Sequence, residues 1–233
     1  MRLETVPVMS LSDLPTLVRL RAAAPGEAVV VAQLGQSLDG RIATASGHSH
    51  YVNGASAITF LHVLRANVDA VLVGAGTARA DDPRLTVRHC AGANPARVLV
   101  DRRRSAGAAL KMLEDDGTRR IVFGPPLPED PPGVEAICAG AAGGAMAPSA
   151  ILAALAERGL KRVLVEGGAA TVSAFLAAGA LHRLCVLVAP LIIGSGPMGL
   201  NLPEIATLDE ARRPAATTAL LAEGDVVFDC DLA

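Results

Sequence analysis

Short, all-apolar runs recur along this chain, and most end in polar or glycine-bearing residues. AVVVAQL (28–34), DAVLVG (69–74), ARVLVD (96–101), RRIVF (119–123), VEAICA (134–139) and KRVLVE (161–166) have the length and β-branched content of buried strands. Helical periodicity lies over 54–66, 148–158 and 170–179; in the first of these Ile58, Leu61 and Leu64 share a side and Arg65 is near the end. All-apolar strands separated by helices predict a mainly parallel sheet covered on both faces, a three-layer α/β/α architecture. RLCVLVAP (183–190) and DVVFDCDL (225–232) have no strong helix between them, which predicts antiparallel strands at the C-terminal end. Leu11, Leu14, Leu17 and Val18 stand at helical spacing behind Ser10 or Ser12 as N-cap, so 10–23 reads as one helix, whose simplest role is to cover a sheet edge. The Pro- and Gly-rich stretch 124–148 reads as loops around one short strand, and no repeat or long linker divides the chain. The expected organisation is a single α/β domain, with 1–26 as a helical extension to a core over 28–233.

Three of the polar strand ends are alike. SLDGRIATASGHSHY (37–51), GAGTARADDPRLTVR (74–88) and VEGGAATVSAFLAAG (165–179) each set small residues, hydroxyls and a few charges around a strand's end. Such composition lets a backbone approach a ligand closely, so the three point to one shared cleft. The GAG at 74–76, with Asp101 at the end of a later strand, invites a dinucleotide-fingerprint reading. Asp82-Pro83 cuts short the helix that the fingerprint needs, which leaves a ligand-facing loop or a tight turn. Gly167 and Gly168 open an apolar helix whose free N–H groups suit a phosphate, and equally suit a close strand-to-helix crossover. Arg102-Arg103-Arg104 would fit a 2′-phosphate, or form a solvated loop.

Composition narrows the classes. Hydrophobic residues make up 51% of the 233, enough for a substantial core, whereas aromatics are 2% with no Trp, too few for base-stacking platforms. A formal net charge of −2 argues against broad binding to nucleic acid or acidic membranes. Cys90, Cys138, Cys185 and Cys230 form no CxxC pair, so reduced, mostly buried thiols are expected rather than a metal site or disulfide framework. No apolar run approaches the roughly 18 residues of a membrane span, and no secretory signal is read after Met1. These features predict a cytoplasmic protein. His48 and His50 lack an obvious third metal ligand, and Ser37 and Ser49 lack a hydrolase nucleophile's setting.

Taken together, SLDGRIATASG, Leu64-Arg65, DAVLVGAGTARADDPRLTVR, VLVEGG (163–168) and APLIIGSG (189–196) closely resemble the reductase domain of riboflavin biosynthesis, the RibD C-terminal family. The resemblance covers roughly 28–196 in order. It implies a dihydrofolate-reductase-like fold and NADPH-dependent reduction of a phosphorylated ribosylaminopyrimidine to its ribitylamino counterpart. It implies substrate contacts at Ser49, Arg65, Leu85, Arg88 and Glu166. Cofactor contacts fall on Gly35, Tyr51, Thr77, Asp81, Arg102 and the segment Gly168, Ala169, Ala170, Thr171 and Val172. The family's habits also imply a homodimer. Neither the HxE nor the PCxxC signature of the deaminase found in bifunctional relatives is present, so a stand-alone reductase is expected. Tyr51 stands where a Trp is common, Gln33 where a Lys is common, and Arg102 where a small residue is frequent. On this reading Arg65 and Arg88 take the ribose phosphate, and Glu166 is an ionised acceptor for pyrimidine N–H groups. Asp81 manages the proton, with Asp82 beside it raising one pKa if both face the cleft. The competing readings are a reductase of another pterin or pyrimidine such as dihydrofolate, and a non-catalytic NADP-binding module.

Overall fold

The computed structural model describes residues 10–50, 52–138 and 146–232. Its nine strands are β1 (Val29–Ser37), β2 (Ala70–Gly74), β3 (Ala96–Val100), β4 (Arg120–Phe123), β5 (Val134–Ile137), β6 (Arg162–Glu166), β7 (Arg183–Ala189), β8 (Ala215–Leu220) and β9 (Val226–Asp231). They form one sheet in the order β5-β4-β3-β2-β6-β1-β7-β9-β8. Pairings from β5 across to β7 are parallel, and β7–β9 and β8–β9 are antiparallel. The helices are α1 (Pro15–Ala22), α2 (Ala55–Arg65), α3 (Ala75–Asp81), α4 (Pro148–Ala156) and α5 (Ala169–Ala177).

Side chains alternate across the strands, and the two faces build separate cores. Val29, Val31, Val71, Val73 and Leu164 pack with Leu17 and Leu20 of α1 and Phe60 and Leu64 of α2. Val30, Ala32, Leu72, Val163 and Val165 pack with Ile151 and Leu155 of α4 and Val172 and Phe175 of α5. This double coverage explains why the central strands read as unbroken apolar runs.

Several details differ from the sequence expectations. The N-terminal run is two elements: Ser10 caps a 3-10 turn at Leu11–Asp13, and α1 begins only at Pro15, which tolerates a first helical position because its missing N–H would be unbonded there anyway. Consequently Val18 is 51% exposed while Leu20 is buried. On α2 the buried apolar residues are Ala57, Phe60 and Leu64, with Ile58 exposed. The segment after β2 is a short helix rather than a loop; it stops at Asp82, which turns into the left-handed region (φ 39°) before Pro83. Strand β8, AATTAL, escaped the pattern because it is an edge strand of small and hydroxylated residues, mostly exposed.

α1 lies on a sheet face, not over an edge. The Thr16 N–H and hydroxyl both donate to Asp229, at 2.8 and 2.6 Å, and Arg183 donates from Nε to the same carboxylate at 2.9 Å. Asp229 is fully buried, so this network ties the N-terminal helix to β7 and β9.

Candidate active site

Strands β2, β6 and β1 are neighbours in the sheet although they come from distant parts of the sequence. Their C-terminal ends open on a cavity of about 530 Å³ whose walls include Gly35, Ser49, Thr77, Asp81, Glu166 and Gly168. The three glycine-bearing motifs therefore do converge, as the crevice at the C-terminal ends of parallel strands requires.

Each wall is positioned by contacts between motifs. The first motif is pinned where Asp39 accepts bonds from the Ser37 hydroxyl and from the Ile193 and Gly194 N–H groups; the Ser37 bond first, then the backbone bonds, hold its pKa down to about 2. Gly35 must lack a Cβ because that atom would overlap the Asn53 side chain, and Asn53 is fixed by donating to Asp225 at 2.6 Å. Ser49 donates to Asp81 at 3.2 Å, joining the first motif to α3. The Gly168 N–H donates to the Thr77 hydroxyl at 2.7 Å, joining α3 to the start of α5. Gly167 sits at φ 114°, and a Cβ on Gly168 would stand 2.9 Å from the Thr77 oxygen. Only glycine allows that approach.

Arg65 and Glu166 form a buried two-pronged pair. Arg65 donates from Nε to Glu166 Oε2 at 2.8 Å and from Nη2 to Oε1, while Nη1 donates to the Thr86 carbonyl at 3.0 Å. The side chains are 6% and 11% exposed. This differs from the sequence expectation of a free guanidinium fork for phosphate and a free carboxylate for pyrimidine N–H groups. Both groups are already engaged with each other. The reason is topological: α2 runs across the sheet face so that its last residue meets the end of β6.

Arg88 is exposed, like Arg84 nearby, and is not part of the cavity's lining. Its Nη1 donates to the Thr86 hydroxyl at 2.7 Å, and its backbone N–H donates to His62 Nδ1 at 2.9 Å. Leu85 is buried at φ 55°, anchoring the segment beneath. Asp81 and Asp82 do not share the cleft. Asp82 faces Lys111, whose backbone N–H and ammonium lie at 2.8 and 3.2 Å, and the Lys111 backbone bond is the main influence lowering its pKa. The expected mutual repulsion is therefore absent.

The arginine run also divides. Arg104 is buried at φ 54° and paired with Asp130, whereas Arg102 remains partly exposed in the turn after β3, outside the cavity's lining. Asp101 is committed to that turn, accepting from the Ser105 and Ala106 N–H groups at 2.9 and 2.7 Å. Along α5, Ala169 and Ala170 lie in the first turn, Thr171 packs its hydroxyl against Gly74, and Val172 is in the core rather than on a ligand-facing surface. Tyr51 lies outside the described residues. Sequence reasoning missed Asn53 and His62. Asn53 directly precedes Gly54, the N-cap of α2, which is a usable signal; His62 carried none, because its partner is a backbone group 26 residues away.

A dinucleotide fits these residues in one respect that the structure itself displays. α5 starts at Gly168 without a side-chain cap, and the adjoining glycines leave no Cβ over that helix end, which is open to an anion. A ring-sized cavity bounded by a carboxylate-hydroxyl pair continues from it. Fold and site thus define an α/β protein with an open cleft at the carboxyl ends of parallel strands.

Comparison with known proteins places it more closely. Residues 28–216 match the RibD C-terminal domain, and the chain belongs to that family. It is 36% identical over 166 residues to the riboflavin biosynthesis protein RibD of Mycobacterium tuberculosis, covering 70% of this chain but 42% of that one. It is 32% identical over 173 residues to the 2,5-diamino-6-ribosylamino-4(3H)-pyrimidinone 5′-phosphate reductase of Methanothermobacter thermautotrophicus, covering 71% of this chain and 79% of that one. Among solved structures, Acinetobacter baumannii RibD superposes with a TM-score of 0.78 at 28% identity, over 93% of this chain and 60% of that one. The chain thus spans roughly half of the RibD relatives and most of the methanogen reductase.

Proposed function

We propose that this chain reduces 5-amino-6-(5-phosphoribosylamino)uracil, or its 2-amino counterpart, to the ribitylamino compound with NADPH. The observation carrying this reading is the single cavity into which Ser49, Thr77, Asp81, Glu166 and the Gly167-Gly168 turn all converge. The names borne by relatives, above all the methanogen reductase that this chain covers for most of its length, supply the substrate class.

The chemistry asked of the site is addition of a hydride to C1′ and a proton to the adjoining nitrogen of the ring-opened imine. When bound, the reduced nicotinamide supplies the hydride. The protein's own groups bind, orient and handle the proton. Asp81, held by the Ser49 hydroxyl at the cavity wall, is the group assigned to take a proton from solvent and pass it to nitrogen. The uncapped N–H groups at the start of α5, beyond the Thr77-bound Gly168, would hold a cofactor phosphate. β3 lies beyond β2 in the sheet, and Arg102, in the turn after β3, would be the residue to hold a 2′-phosphate. Arg88 takes the substrate phosphate. Glu166 acts through its pair with Arg65, giving the pyrimidine a fixed polar wall.

A homodimer and a cytoplasmic setting belong to the same proposal. Leu220 and Phe228 on β8 and β9, with Leu191 and Ile192 just past β7, are exposed apolar residues suited to a second copy, which light scattering tests. Four free cysteines agree with a reducing compartment. Function is tested by mixing purified protein with NADPH and each pyrimidine, or dihydrofolate, and following loss of reduced-nicotinamide absorbance. Consumption with a ribosylaminopyrimidine is expected. NADPH binding without turnover of either pyrimidine overturns the proposal.

A further inference from the structure

We infer that His62 is a positioning residue for substrate phosphate, acting by fixing the backbone that carries Arg88. This rests on the proposed function, which assigns the substrate phosphate to Arg88. His62 is on α2, one turn before Arg65, and is 2% exposed. It contacts neither the cavity nor any group assigned to the reaction's chemistry. Its Nδ1 accepts the Arg88 backbone N–H at 2.9 Å, which requires a neutral imidazole with its own proton on Nε2.

The segment 82–88 has little regular structure to hold it. It turns through two left-handed residues, Asp82 at φ 39° and Leu85 at φ 55°. From there one face of α2 supports it twice: Arg65 donates to the Thr86 carbonyl at 3.0 Å, and His62 accepts from Arg88. Asn94 adds a bond to the Val87 N–H at 2.8 Å. The His89 ring packs edge-on against His62, with centroids 4.5 Å apart, and closes the far side. Arg88 emerges from this support exposed, and among the described residues no carboxylate pairs with it. Its charged surroundings are Arg65, Arg84 and Glu166; Arg65 is committed to Glu166 and Arg84 to Glu114, so of these three arginines Arg88 alone has no carboxylate partner among the described residues. An exposed arginine on a braced backbone, beside like charges, is arranged to receive an anion.

The test compares the phosphorylated ribosylaminopyrimidine with the same compound after phosphatase treatment, in wild type, His62→Leu and His62→Asn. His62→Leu is expected to raise KM for the phosphorylated compound up to about tenfold, the size of one lost hydrogen bond to a backbone N–H. KM for NADPH and for the dephosphorylated compound should move less than about twofold. His62→Asn, whose side-chain oxygen falls near the Nδ1 position, should recover most of the loss. Should His62→Leu fail to fold, His62→Gln places its oxygen nearer the Nε2 position and gives the same contrast. An unchanged KM in the Leu or Gln variant, or equal losses toward all three ligands, overturns the inference while leaving the reductase reading intact. Wild-type inactivity toward both pyrimidines removes the reductase reading, and the inference falls with it.

Discussion

Replacing Glu166 with Gln isolates the buried ion pair at the cavity wall. The amide keeps the shape of the carboxylate but removes its charge and turns one acceptor into a donor, leaving the Arg65 guanidinium, 6% exposed, with only neutral acceptors, the amide oxygen and the Thr86 carbonyl. Breaking a buried pair at one partner typically costs about 3–5 kcal/mol, because the remaining charge stays desolvated. Glu166 borders the cavity and reaches water there, so the lower end of that range, about 3 kcal/mol, applies. The comparison is Arg84–Glu114, an ion pair of 2.8 Å whose side chains are 52% and 55% exposed. Solvent screens that pair, and Arg84→Ala should cost under about 1 kcal/mol.

Equilibrium urea denaturation followed by circular dichroism reads both. With a slope of about 3 kcal/mol per molar urea, reasonable for a chain this long, Glu166→Gln should lower the midpoint by about 1 M with the slope unchanged. Replacing both partners, Arg65→Met with Glu166→Leu, should recover much of the loss, because no charge then remains buried. A Glu166→Gln midpoint shift no larger than that of Arg84→Ala would refute the reasoning, since burial would then make no difference to the pair.

Three further outcomes are expected. Thr16→Val removes one donor from the fully buried Asp229 and should cost about 1–3 kcal/mol, seen as faster tryptic cleavage at Arg19 and Arg21 on a loosened α1; wild-type cleavage rates would contradict the tie. Burial, with Arg65, Arg88 and His89 nearby, lowers the His62 pKa from 6.5 to about 4, so its protonation favours the unfolded chain. That stabilising contribution is complete above pH 6.5 and is lost as pH falls from there toward 4; between neutral pH and about pH 5 wild type should lose about 2 kcal/mol relative to His62→Asn, measured as urea midpoints. Asp81→Asn should cut turnover about a hundredfold or more while NADPH affinity, measured by fluorescence titration, changes little; unchanged turnover removes Asp81 from the proton step.

What the sequence made legible was local. The unbroken apolar runs in AVVVAQL, KRVLVE and DAVLVG report burial on two faces, and those runs became the three strands that bound the cleft. The glycines at 167 and 168 likewise marked a backbone approach that the Thr77 contact now explains. What could not be read was pairing at long range. Nothing near Thr16 announces Asp229, 213 residues away, and nothing near Arg65 announces Glu166, 101 residues away. Strand order posed the same difficulty: β6 inserts between β1 and β2, a placement decided by which faces the crossover helices cover rather than by the strands' own residues. β8 was invisible because an edge strand needs little apolar content when only one residue in it, Ala219, reaches the core.

The residues singled out as ligand contacts turn out to hold the cleft together before any ligand enters. Ser49 with Asp81 joins the first motif to the second, Thr77 with Gly168 joins the second to the third, and Arg65 with Glu166 joins α2 to the third. A cleft made from strand ends has no continuous backbone ladder across its mouth, so its walls are held in register by side chains. Those side chains are necessarily the polar groups nearest the cavity, the same groups that can meet a ligand. Substitutions here will move stability and affinity together, and a loss of activity alone will not identify a chemical role. Gln33 is the informative exception. It is 8% exposed, lines the cavity beside Glu166, with which it is in register across β1 and β6, and its side chain, unlike its backbone, has no hydrogen bond to the described residues. Its amide borders the cavity without bracing a neighbouring motif, so at this position ligand contact can be separated from structural support.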